Sequence, residues 1–130
     1  MESTILYPFS IEKNNEKSYL KTLKLAEELN AKVICLTTVD VDEGIDDAYL
    51  HLLRLNGYYQ SQHNAWSDAK VPLEKVIEVG AMATSLPNTL EEKQIDVMIR
   101  RRGMNRLQRK VILNRRKAGK ETPSLFQFND

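Results

Sequence analysis

The chain has 130 residues, 42% of them hydrophobic and 28% charged, with nineteen Lys and Arg against eighteen Asp and Glu. That length suits one domain over residues 1–130, large enough to bury roughly two-thirds of the surface its unfolded chain exposes. A single cysteine, Cys35, excludes an internal disulfide, and no apolar run is long enough to span a membrane.

The start Met1-Glu2-Ser3-Thr4 lacks the basic and apolar regions of a signal peptide, so a cytoplasmic protein is expected. Thr4-Ile5-Leu6-Tyr7 is short and β-prone, and Pro8 closes it as strand one. Ser10 and Asn14 both suit the N-cap of a first helix. From Lys13 to Leu29 the residues Tyr19, Leu23, Ala26 and Leu29 recur at helical spacing. Asn30 then stands where a left-handed C-cap residue belongs. Lys32 to Val39 is a second β-prone run, and its consecutive apolar residues suit a strand covered on both faces. Cys35 lies inside that run and reads as a buried core residue.

Asp40 to Asp46 is an acidic loop, and Ala48, Leu52, Leu55 and Tyr59 define a second helical stripe, extended by His63 and Trp66. Pro72 to Val79 reads as strand three, closed by Gly80. Pro87 interrupts the helical pattern beyond it, so the helix either kinks there or begins near Pro87 and runs through Glu92, and a short loop or turn before Pro87 is the expectation. Ile95 to Ile99 is strand four. Met104, Leu107, Val111 and Ala118 mark a basic amphipathic helix, and Leu125-Phe126-Gln127-Phe128 reads as a last strand. Such alternation predicts an α/β fold: an open five-stranded parallel sheet with helices on both faces. Ligands of such sheets bind beyond the carboxyl ends of the strands, at the switch point. Here that means the loops after strands one and four.

Charge is unevenly placed. Residues 100–120 hold ten bases and no acid, leaving nine bases against all eighteen acids elsewhere. Arg100-Arg101-Arg102 follows strand four directly. Arginine offers a planar fork of donors matched to phosphate, and Gly103 with the next helix N-terminus adds backbone donors.

Two stretches resemble the universal stress protein family. The first joins Ile5-Leu6-Tyr7-Pro8-Phe9-Ser10 to the Leu25-Ala26-Glu27-Glu28-Leu29-Asn30-Ala31 turn and strand two. The second runs from Glu74-Lys75-Val76-Ile77-Glu78-Val79-Gly80 to Ile95-Asp96-Val97-Met98-Ile99 and Gly103. The order of elements fits over the whole chain. The resemblance implies a Rossmann-like fold of the adenine nucleotide alpha hydrolase type, and homodimers, often through the last strand. Leu125, Phe126 and Phe128 would then form the dimer interface, an uncovered apolar edge being apt to pair.

ATP-binding members of that family carry an Asp after strand one, where this chain reads Pro8-Phe9-Ser10. They also carry G-x-x-G, nine residues, then G-[S/T]. Anchored on Gly103, that pattern puts Arg100 at the first glycine, Leu113 at the third and Asn114 at the hydroxyl position. Glycine lets backbone N–H groups approach phosphate with no Cβ in the way. Arg and Leu side chains would fill that space, so the family's mode of ATP binding is disfavoured and no cofactor is expected.

No catalytic or metal constellation stands out. His51 and His63 have no Cys or close partner His. The acidic loop lacks the ligand spacing of an EF-hand, and Gly-x-Ser-x-Gly does not occur. The expectation is a non-catalytic stress-response or regulatory homodimer with an unknown protein partner. One alternative is a nucleotide or other phosphorylated ligand held by Arg100, Arg102, Gly103 and Asn114, beside Pro8, Phe9 and Ser10 after strand one and Val39 at the end of strand two. Weak nucleic-acid or polyanion binding is the other. It is disfavoured because the basic segment has no aromatic residue for bases to stack on.

Overall fold

A computed structural model describes residues 3–9, 16–39 and 71–128. The second helical stripe, the acidic loop, both histidines, Trp66 and Ser10 lie outside the described residues.

Five strands, β1 (Ser3–Phe9), β2 (Ala31–Val39), β3 (Leu73–Val79), β4 (Val97–Ile99) and β5 (Ser124–Phe126), form one sheet. Their order is β3-β2-β1-β4-β5, and every pairing is parallel. The chain steps outward from β1 to β3, then returns past β1 to β4. The carboxyl ends of β1 and β4 therefore flank the switch point, where helices on opposite faces part and leave a crevice.

Alternation along the central strands sends side chains to two cores. Ile5 and Tyr7 of β1 and Val33 and Cys35 of β2 pack with Tyr19, Leu23 and Ala26 of helix α1 (Glu16–Leu29). On the opposite face Leu6, Ile34, Leu36 and Met98 pack with helices α2 (Met82–Glu92) and α3 (Asn105–Lys117), through Leu86, Leu90, Val111 and Ile112. Cys35 is fully buried, and loss of hydration pushes its thiol up to about 12. It is a core atom, not a nucleophile.

Local chemistry sets the element ends. Asn30 takes φ 53° after α1, the left-handed C-cap its position predicts. Gly119, at φ 71°, closes α3: its N–H bonds the Arg116 carbonyl and the Lys120 N–H bonds the Arg115 carbonyl at 2.9 Å. That is a Schellman closure, which turns the chain back toward β5. Two carboxylates tie elements together. Glu74 of β3 receives Lys32 and Lys93, each at 2.9 Å, and those hydrogen bonds, Lys32 first, hold its carboxyl below the usual range. Glu91 of α2 receives Arg115 and Lys120 at 2.9 Å, Lys120 lowering its carboxyl most.

One expectation is corrected. The helix does not start near Pro87; it runs from Met82, with Pro87 inside it. The ring forfeits one N–H bond, to the carbonyl four residues back. Leu86 and Leu90 are almost wholly buried on either side of it, and burying such side chains is worth about 1.5–3 kcal/mol each, enough to offset the lost bond. Other boundaries shift slightly: β4 starts at Val97 rather than Ile95, and β5 is Ser124–Phe126 rather than reaching Phe128.

Candidate functional site

The carboxyl end of β1 and the Arg100–Met104 segment that follows β4 lie at the switch point. Pro8 is buried and still in register with Leu36 of β2, but β4 pairs only as far as Leu6. A residue without an N–H is tolerated there because no ladder bond toward β4 is needed. Phe9 comes next in the same strand, in register with Thr37. Val39 ends β2 in register with Val79 of β3, one strand away from the crevice.

The three arginines part at once. Arg100 continues the ladder, its N–H donating to the Phe126 carbonyl at 2.8 Å. Its Nε donates to Asn105 Oδ1 at 2.6 Å and its Nη1 to Gln127 Oε1 at 2.9 Å. This side chain braces the start of α3 against the chain after β5. Arg101 reaches the other way: its Nη1 donates to the Tyr7 hydroxyl at 2.5 Å, and its Cζ lies 4.6 Å from the Tyr7 ring centroid. Cation–π attraction of this kind is worth about 0.5–2 kcal/mol. Tyr7 in turn meets Tyr19 of α1 edge-on at 5.9 Å. Arg102 is exposed and opens a 3₁₀ turn, Arg102–Met104, that leads into α3.

Gln108 fixes the backbone of this segment. It is fully buried, its Nε2 donating to the Ile99 carbonyl at 2.8 Å while its Oε1 accepts the Arg101 N–H at 2.9 Å. The Met104 N–H bonds the Arg101 carbonyl at 3.0 Å. Gly103 sits within the 3₁₀ turn and is not among the residues of positive φ. Glycine's conformational freedom is therefore not needed at this position.

The structure thus brings Pro8, Arg100, Arg102 and Gly103 to one end of the sheet. It does not bring Asn114 there: that residue is exposed on α3, about 13 Å of helix rise beyond Asn105. Leu125 packs against the α2/α3 core and Phe128 against the α1 core. Phe126 stays 38% exposed on the edge strand, its ring edge-on to Phe128 at 5.1 Å. Sequence reasoning missed Tyr7 and Gln108, and it gave Arg101 no role apart from the triplet. Gln108 carried a signal, since it is a polar residue flanking an apolar stripe of Met104, Leu107 and Val111.

No protein-family model matches this sequence, and no curated protein does. Solved structures do match in fold. A universal stress protein, UspA, from Lactobacillus plantarum superposes with a TM-score of 0.69 at 11% identity, over 98% of this chain and 97% of that one. A protein of the universal stress protein family from Burkholderia pseudomallei gives 0.68 at 13% identity, over 98% and 96%. A universal stress protein in complex with cAMP gives 0.63 at 16% identity, over 98% and 97%. The expected fold is thus observed: the chain has the parallel α/β sheet of the universal stress proteins.

Proposed function

We propose that this chain, built on the universal stress protein fold, is a non-catalytic regulatory protein of the stress-response type that does not hold ATP in a backbone cradle. One observation carries the reading: the Arg100 and Arg101 donors at the switch point are already occupied within the chain. The Arg101 N–H is capped by Gln108, the Arg100 N–H by β5, and the Arg100 and Arg101 side chains by Asn105, Gln127 and Tyr7. A phosphate arriving there would have to displace these bonds. Each is worth about 0.5–1.5 kcal/mol net, or up to about 3 where a charged group takes part.

A second reading has its own support. Arg102 is exposed at the start of α3, whose dipole favours anions, and one structural neighbour is a complex with cAMP. Adenine nucleotides are therefore the ligands to titrate. Calorimetry with ATP, ADP and cAMP, with and without magnesium, should give no saturable heat at millimolar nucleotide. Saturable binding lost in Arg102→Ala would replace the first reading with the second. Arg102 is the right probe because Arg100 and Arg101 hold structure.

The reading includes a cytoplasmic homodimer joined through β5, with a further protein partner. β5 lies at the edge of the sheet and offers Phe126 to solvent. Phe126→Lys should lower the mass seen by light scattering toward that of one chain. A dimeric mass that persists in the variant would place the interface elsewhere.

A further inference from the structure

Helix α3 buries Gln108, Val111 and Ile112. At 3.6 residues per turn, Arg106, Arg109, Lys110, Arg116 and Lys117 fall within an arc about 120° wide on the opposite side. All five are exposed, as is Arg102 in the preceding turn. Arg115 and Lys120 are paired with Glu91, but none of these six has an ion pair among the described residues. A solvated helix face usually intersperses acids and bases, which support each other at i, i+4. This one holds like charges alone, and an anion laid across them would relieve their mutual repulsion.

From this we infer that the outward face of α3 binds duplex nucleic acid through its phosphates, without regard to sequence. Four of the six cations are arginines, whose planar fork fits phosphate oxygens. The stripe from Arg106 to Lys117 rises about 16 Å, and a duplex presents one charge per ~1.7 Å of its axis, so phosphates lie within reach of every base. Stacking aromatics are what a single strand needs. A duplex keeps its bases stacked on one another, and contacts to its backbone require only donors and charge. An anionic membrane fits less well, because an interfacial helix buries its apolar face in lipid and that face of α3 is already under the sheet. A protein partner would be anchored by large apolar or aromatic groups. The arc offers only Leu113, half exposed. The surface uses neither the β5 edge nor any switch-point donor except Arg102, so it stands apart from the proposed regulatory role.

The test is fluorescence anisotropy of a labelled duplex of mixed sequence with the full chain, across 50 to 200 mM salt. If all six cations engage, log K against log salt should fall with a slope of about −5, roughly a thousandfold loss of affinity over that range. The triple variant Arg106→Ala, Arg109→Ala, Lys110→Ala removes exposed side chains only. It should make the slope shallower by about 3, while Lys17→Ala with Lys24→Ala on α1 leaves it unchanged. Absence of binding at 50 mM salt, or an unaltered slope in the triple variant, overturns the inference. So does tighter binding to phosphatidylserine vesicles or to polyglutamate than to the duplex.

Discussion

Leu6→Ala will lower the free energy of unfolding by about 2–5 kcal/mol, read from urea denaturation of the full chain. Leu6 is fully buried in β1, the central strand, in register with Ile34 on one side and Met98 on the other. Its side chain belongs to the core that α2 and α3 cover. Helices α2 and α3 cover that core from segments far along the chain, so neither can close the gap without dragging its own loop. The cavity should therefore persist, and the loss should fall in the upper part of that range. Domains of this kind are stable by about 5–15 kcal/mol in total, so this substitution alone removes a large share. Leu20→Ala is the matching control, because Leu20 is 44% exposed on α1; its cost should stay within about 0.5 kcal/mol. Equal losses at the two positions would mean that the α2/α3 layer does not pack on β1 through Leu6.

The sheet was legible because parallel strands covered on both faces read as consecutive apolar residues, as in Ile5-Leu6-Tyr7 and Val33-Ile34-Cys35-Leu36. Asn30 was legible for a local reason, the tolerance of asparagine for positive φ. Pro87 misled because the penalty for a proline is local, whereas the burial of Leu86 and Leu90 that outweighs it is tertiary. The position of the arginine triplet came from the strand count, but the direction of each side chain did not. Arg101 finds its partner 94 residues away in Tyr7, and Arg100 finds one 27 residues away in Gln127. No spacing rule reaches across such distances. Asn114 lies along α3 and not beside Gly103, because a nine-residue interval says nothing of direction once it runs along a helix. The charge imbalance was visible as a count. That its unpaired members share one arc of α3 required knowing which face the core claims.

The second large effect concerns the clamp behind that triplet. Gln108→Met keeps the volume and removes both polar atoms, leaving the Ile99 carbonyl and the Arg101 N–H without the partner they have now. A buried group left unsatisfied costs about 1–3 kcal/mol, so a loss of about 2–4 kcal/mol is expected on chemical denaturation. A purely apolar swap at matched volume would otherwise cost under about 1.5 kcal/mol. The distinguishing measurement is amide exchange at Arg101. Its N–H is held at 2.9 Å by a side chain with no exposed surface, so exchange in the wild type should require opening of α3. In the variant it should quicken well beyond the neighbouring β4 amides, because the segment loses its anchor while the sheet keeps its ladder. Unchanged protection at Arg101 with a small stability loss would mean that the segment is held by the Arg100 and Arg101 side chains alone. In that case the Arg101 N–H stays shielded without Gln108, and this bond is not what denies the switch point its donor. Faster exchange with a large stability loss would show that the same bond both closes the fold and denies the site its donor.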